Sequence, residues 1–196
     1  MREPLLPTIA ALARELAGDV MALPPASRQR LVLAGHSMGA QVAYEAVLLL
    51  EAQAMAPAAL VLSGCQAPHL EGRRLLSHLD DDAFVRELAA IGGCSALLAG
   101  QPELLALFLP MLRADFAATE TYFRPLIANT TRTRLPVLLL AGTRDTEADA
   151  GEVRAWSEWS GFDCPLRYIA GDHFYAAARP RAFCRHVMDF YHRQVA

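Results

Sequence analysis

The sequence contains no lysine; all 18 of its basic residues are arginine. That absence excludes Schiff-base chemistry, a P-loop phosphate site and a lysine general base. Clustered positive charge is missing too. The net charge is −3, there is no basic tract, and aromatic residues do not interleave with basic ones, so nucleic acid is not an expected partner. The longest apolar runs, residues 54–62 and 136–141, are far shorter than the roughly 20 residues needed to span a bilayer, and no membrane association is expected. Cysteine is scarce: Cys65, Cys94, Cys164 and Cys184 form no CxxC pair and no His/Cys cluster of metal-ligand spacing. No signal-peptide pattern opens the chain. The thiols therefore read as reduced and mostly buried, in a cytoplasmic protein that needs neither metal nor cofactor.

What is present suits one domain covering residues 1–196. Hydrophobic residues make up 54% of the chain and charged residues 20%, ample for a core. Ile9, Leu12, Leu16 and Val20 recur at helical spacing over residues 7–21, with Pro7 suited to a first turn and Pro24-Pro25 ending the helix. A short apolar run, 30–34, stops at Gly35-His36-Ser37-Met38-Gly39, and a helical stretch, 40–53, follows. The rhythm then repeats. Strands are predicted at 58–62, 136–141 and 166–170, and helices at 148–160 and 180–193. Short apolar strands alternating with helices indicate an α/β fold with a largely parallel sheet. Residues 66–123 break the rhythm. Asp80 to Asp82 opens a helix with Phe84, Val85, Leu88 and Ile91 on its apolar face, and 101–117 continues helically with a kink or break expected at Pro110. This reads as a helical insertion that lies over a site as a lid.

Gly35-His36-Ser37-Met38-Gly39 is a G-x-S-x-G element, and its context makes it informative. It follows an apolar strand and opens a helix, as a nucleophile elbow must. The flanking glycines permit the sharp turn and close strand–helix packing. The turn projects the Ser37 hydroxyl from the sheet, and the Met38 N–H at the helix N-terminus can meet a developing oxyanion. A serine nucleophile needs a base, and the base an orienting acid, in the chain order Ser, Asp or Glu, His. His173 follows the 166–170 strand through Gly171-Asp172 and is the best base. His36 should point away from Ser37; His69 and His78 lie in the insertion, and His186 and His192 on the last helix. Asp145 follows the 136–141 strand through Gly142-Thr143-Arg144 and is the best acid. Asp172 is too close to His173 in sequence to bond its ring; Asp149, which suits a helix cap, and Asp163 are weaker alternatives.

Beyond the elbow, five segments carry a resemblance. They are Leu62-Ser63-Gly64 with Ala67-Pro68-His69; Leu112-Arg113-Ala114-Asp115-Phe116; Glu120-Thr121-Tyr122; Ala141 to Asp145; and Gly171-Asp172-His173-Phe174. With these the chain resembles the type II thioesterases of nonribosomal peptide and polyketide synthesis, within the α/β-hydrolases, over nearly its whole length. The resemblance implies an α/β-hydrolase-type, largely parallel sheet with a helical lid. It assigns Ser37, Asp145 and His173 as nucleophile, acid and base, matching the reading of the residues. It also implies removal of stalled or wrong acyl groups from the phosphopantetheine arm of carrier proteins, in assembly lines that make products such as antibiotics or siderophores. The Leu and Ala residues of the insertion would line a shallow apolar acyl pocket or pack the lid helices together.

The sequence departs from this family in one respect. Members carry further strands and a Gly-rich loop before the elbow, and that loop supplies a second oxyanion N–H. Here one helix precedes the elbow strand, and Met1-Arg2-Glu3-Pro4 resembles an internal family segment. The N-terminal strands are thus expected to be missing, leaving the 30–34 strand without a neighbour. Alternatives to the editing thioesterase are a small-molecule esterase or acyltransferase, and an inactive truncated relic or carrier-binding module.

Overall fold

A computed structural model describes residues 5–92 and 101–194. The Met1 to Pro4 segment and Cys94 lie outside the described residues. Among the described residues four strands form one parallel sheet in the order β1 (Val32–His36), β2 (Ala59–Ser63), β3 (Val137–Gly142), β4 (Leu166–Ile169). Every residue of β2 and β3 is buried, which explains why they read as continuous apolar runs rather than alternating ones. At the edge of the sheet β1 is only partly buried. The α/β fold is therefore as expected, with each strand shifted by a residue or two.

Helices fill both faces. On one face Leu60, Leu62, Val137, Leu139 and Leu166 pack with α3 (Met38–Ala52) and α6 (Ala150–Arg154), and with Trp156 and Trp159 of the 3-10 turn that extends α6. The predicted 148–160 helix is thus a short α-helix that tightens into a 3-10 turn (Ala155–Trp159). On the other face Ala59, Val61, Leu138, Leu140 and Ile169 meet Tyr175 and Phe190. Tyr175 opens α7 (Tyr175–Ala178), a turn absent from the sequence reading, and Phe190 is the buried residue of α8 (Pro180–Gln194).

α1 (Ile9–Ala22) lies on α3, and Leu33 of β1 packs against the same cluster. Ile9, Ala13, Ala17 and Val20 form its buried stripe, and the two alanines allow close approach to Val42, Ala46 and Leu50. Its cap is Thr8, whose hydroxyl accepts the Ala11 N–H at 3.1 Å, so Pro7 precedes the helix rather than occupying its first turn. Pro25 does not simply end α1; it opens a four-residue helix, α2 (Pro25–Arg28).

Between β2 and β3 the chain runs through α4 (Asp81–Ala90) and α5 (Pro102–Glu120). Asp80 caps α4, its carboxylate accepting the Ala83 N–H at 2.8 Å. Leu76, Phe84 and Leu88 form a core of their own with Leu79, Leu109, Leu112 and Phe116. Arg113 lies 4.7 Å over the Phe84 ring and bonds Asp81, tying α5 to α4. Of the kink or break expected at Pro110, the break does not occur: α5 runs on through it. The Ala106 carbonyl it deprives of a partner is on the exposed side, where water can satisfy it, while Leu109 and Leu112 hold the helix to the lid core.

The turn from β1 into α3 depends on a backbone contact. A Cβ on Gly35 would stand 2.0 Å from the Gly39 carbonyl oxygen, so only glycine lets the helix start directly above the strand. A Cβ on Gly39 would meet nothing within 4 Å; of the two elbow glycines, the packing requires only the first. Overfilling a packed site costs about 1–3 kcal/mol or more, and here no side chain can rotate away. Gly35→Ala should therefore lower the melting temperature by roughly 10 °C. Gly39→Ala should leave it unchanged or slightly raised, as thermal unfolding of the two variants would show.

Candidate active site

The elbow begins with backbone strain. Ser37 is held at φ 54°, ψ −129°, a conformation that a non-glycine residue adopts at a cost of roughly 1–3 kcal/mol. Its N–H is fixed by the Ser63 carbonyl at 2.8 Å, and α3 starts with the next residue. The hydroxyl is thereby lifted beyond the C-terminal end of β1, where the loops after β3 and β4 also arrive.

Those loops carry the other two predicted residues, and the structure brings all three together. Ser37 Oγ lies 3.1 Å from His173 Nε2. His173 Nδ1 lies 3.1 and 3.0 Å from the two Asp145 carboxylate oxygens. Asp145 Oδ1 also accepts the Glu147 and Ala148 N–H groups at 2.9 and 3.1 Å, so the carboxylate closes its own loop. The Asp145 side chain is 0% exposed and that of His173 is 10% exposed. Burial pushes the Asp145 carboxyl up, but the bond and charge of His173 and the two N–H donors outweigh it and hold the group below the ordinary carboxylate range. With Asp145 ionised, the Nδ1 proton stays on His173 and Nε2 is left to accept from Ser37.

The alternatives lie elsewhere. Asp149 caps α6 in a reciprocal capping box with Glu152. Asp172 accepts the Phe174 N–H and shapes the turn. Trp159 donates its indole N–H to His69 Nδ1 at 2.8 Å. His186 and His192 lie on α8, as read from the sequence. Among the described residues, no three His, Cys, Asp or Glu side chains gather as a metal would require, and no helix is long and apolar enough to cross a membrane.

Comparison with known proteins decides the family. The thioesterase domain model matches residues 1–191. The chain belongs to the thioesterase family. A probable anguibactin biosynthesis thioesterase, AngT of Vibrio anguillarum, is 41% identical over 182 residues, covering 91% of this chain and 71% of its own. Thioesterase PikA5 of Streptomyces venezuelae is 37% identical over 189 residues, covering 95% of this chain and 65% of its own. Among solved structures, YbtT, a type II thioesterase from the yersiniabactin nonribosomal peptide and polyketide pathway, superposes with a TM-score of 0.90 at 44% identity, covering 99% of this chain and 77% of that one. The fold is that of the α/β-hydrolases, and the chain is a thioester hydrolase by family.

In this thioesterase Ser37, Met38 and His173 line one cavity of about 110 Å³. Met38 brings to it the first N–H of α3, which has no partner within the helix. The lid contributes Ile91 after α4, and Phe116, Thr119 and Glu120 from the end of α5. Among the described residues no leucine of the insertion lines this cavity; Leu76, Leu79, Leu88, Leu109 and Leu112 are used in the lid's own core, and the lid side of the wall mixes Ile91 and Phe116 with Thr119, Glu120 and the two arginines Arg73 and Arg74. Glu120 accepts the Leu76 and Ser77 N–H groups and the Ser77 hydroxyl, pinning the lid's first strap.

Two groups of residues escaped the sequence reading. Arg73 and Arg74, at the cavity rim, bind the loop that carries Asp145: Arg73 donates to the Thr146 carbonyl, Asp149 and Glu152, and Arg74 to Glu147 and to Glu87 of the lid. Beneath the elbow, His36 bonds Ser63 and the backbone of His173. Burial, reinforced by the neighbouring His173, lowers the His36 pKa to about 4. In the unfolded chain it titrates near 6.5. Between those values the unfolded state binds the extra proton, so stability is full above about pH 6.5 and falls as the pH drops towards 4, by up to about 3 kcal/mol. Chemical denaturation at stepped pH should show this slope, and His36→Gln should remove most of it.

Proposed function

We propose that this thioesterase cleaves acyl groups from the phosphopantetheine arms of carrier proteins, as an editing enzyme of nonribosomal peptide or polyketide synthesis acting in the cytoplasm. The observation that carries the reading is the Ser37–His173–Asp145 series at the mouth of a lidded cavity, in a chain 44% identical to a type II thioesterase of such a pathway.

Ser37 Oγ attacks the thioester carbonyl carbon while His173 Nε2 takes its proton. Negative charge gathers on the carbonyl oxygen, where the Met38 N–H donates. The tetrahedral intermediate collapses, the carbon–sulfur bond breaks, and the imidazolium returns the proton to the departing pantetheine sulfur. An acyl-Ser37 ester remains. A water molecule, deprotonated by His173, attacks that ester, and the second tetrahedral intermediate releases the free acid with Ser37 reprotonated. Asp145 stabilises the imidazolium in both halves without taking its proton. No metal or diffusible cofactor takes part.

The test is hydrolysis of acyl-loaded carrier protein, followed by release of the free thiol. Turnover should be lost in Ser37→Ala, and Asp145→Asn should reduce kcat by about 10⁴-fold. Full activity in Ser37→Ala would remove the mechanism. Hydrolysis of simple oxoesters with no turnover of carrier thioesters would make the protein a small-molecule esterase, and acyl transfer to an added alcohol or amine in preference to water would make it an acyltransferase. Absence of turnover together with no labelling of Ser37 by a fluorophosphonate would leave a carrier-binding relic.

A further inference from the structure

We infer that His36 is a positioning residue: by holding the backbone of His173, it sets the distance between nucleophile and base. The inference rests on the roles proposed above for Ser37 and His173.

The protons can be placed from the partners. His36 Nε2 lies 2.8 Å from the His173 carbonyl oxygen, and a carbonyl can only accept, so Nε2 carries the proton. Nδ1 is then an acceptor and takes the Ser63 hydroxyl proton at 3.0 Å. Ser63 Oγ in turn lies 2.6 Å from the Tyr175 hydroxyl. Tyr175 has one proton for two neighbours, Ser63 Oγ and the Leu140 carbonyl at 2.8 Å. The Leu140 carbonyl is already supplied by the Gly64 N–H at 3.0 Å, so the tyrosine proton is free to complete the relay to Ser63. Every polar atom from β3 to the base is satisfied with His36 neutral, the state its burial favours.

The relay ends on the base itself. His36 and Ser37 are consecutive, so a closed ring runs from the Ser37 hydroxyl through its backbone to His36, across the 2.8 Å bond to the His173 backbone, and back through the His173 ring to Ser37. Two hydrogen bonds close this ring, and everything else in it is covalent. Without the His36 bond, the one remaining hydrogen bond between the elbow and the turn bearing His173, among the described residues, would be the one that must break and re-form during catalysis.

The strands clear space for this arrangement. Gly64 has φ 55°, and a Cβ there would come within 2.5 Å of His36 Cε1. A Cβ on Gly142 would come within 2.7 Å of Tyr175 Cδ1. The first residue past β2 and the last residue of β3 thus lack side chains where the two rings must fit. A histidine that merely filled space would need neither a donor on one face nor an acceptor on the other.

The experiment compares His36→Leu, which has no donor, with His36→Gln, whose amide can reach the same carbonyl, using acyl-carrier substrate and the full chain. His36→Leu should lose kcat by 10–100-fold with KM within twofold of wild type, because His36 touches no substrate, and labelling of Ser37 by a fluorophosphonate should slow in proportion. His36→Gln should recover most of both rates. If His36→Leu does not fold, His36→Asn, too short to reach the carbonyl, takes its place with the same expectation. Wild-type kcat in the folded donor-less variant, or equal loss in the leucine and glutamine variants, overturns the inference. Ser37→Ala separates the two failures: inactive Ser37→Ala beside a fully active His36→Leu removes only the role of His36, whereas active Ser37→Ala removes the assignment of the site.

Discussion

A serine hydroxyl is useful here only because the backbone beneath it is bent further than a serine prefers. Ser37 sits at φ 54° between the last residue of β1 and the first of α3, and the bend is held by the Ser63 carbonyl on one side and the bare Cα of Gly35 on the other. Relaxing the turn would lower Ser37 towards the sheet and separate α3 from β1, and with them the α1–α3 pair that covers this side of the molecule. Local strain of about 1–3 kcal/mol is sustained by packing that no single neighbour supplies, from Ala40 and Val47 on one side of α3 to Val42, Ala46 and Leu50 on the other. The elbow is thus the point where the fold's hydrophobic energy is converted into the placement of one oxygen atom.

The other two functional groups are placed differently, by loops that bind themselves. Asp145 uses one carboxylate oxygen to gather the Glu147 and Ala148 N–H groups, and Asp172 takes the Phe174 N–H. A buried ionised carboxylate is tolerable at the site because it accepts from two backbone N–H donors and from the His173 Nδ1–H, which lies near both of its oxygens. The parallel sheet then needs only to deliver three loop starts to the same edge. The register Gly35 to Leu62, Leu62 to Leu139 and Leu139 to Leu166 does so without any bulge.

Much of this was legible in the chain because the signals are local. An apolar run ending in glycine marks the end of β1 and of β3, and one strand–turn–helix with a serine at its tip marks the elbow. Asp145 and His173 were found because each falls just past a strand, in the order that a sheet of this type imposes. The relay under the elbow was not legible. His36 meets a residue 137 positions away, and Ser63 one 112 positions away, and no local pattern encodes either pairing. The retrievable hint was spatial economy: a glycine immediately after β2 and another ending β3 have no turn preference in common, but both make room for a ring. That α5 continues through Pro110 was not legible for the opposite reason. Its local rule is strong, yet the packing of Leu109, Leu112 and Phe116 continues across it, and Ala106, whose carbonyl loses its helical partner, is exposed.

The missing lysine also takes on a structural sense. The strap leading into the lid is joined to the Asp145 loop by adjacent arginines whose planar forks serve several acceptors at once. Arg73 reaches Glu152 through Nε, Thr146 through one terminal nitrogen and Asp149 through the other, while Arg74 bridges Glu147 on the body and Glu87 on the lid. An ammonium is a single point of charge and could not span the 2.6–3.0 Å contacts that Arg73 makes on three separate residues. These pairs are partly exposed, so each contributes little to stability by itself. Their importance is geometric: they make the lid's first strap and the acid's loop one unit, so that the cavity over Ser37 and the orientation of His173 are set by the same few bonds.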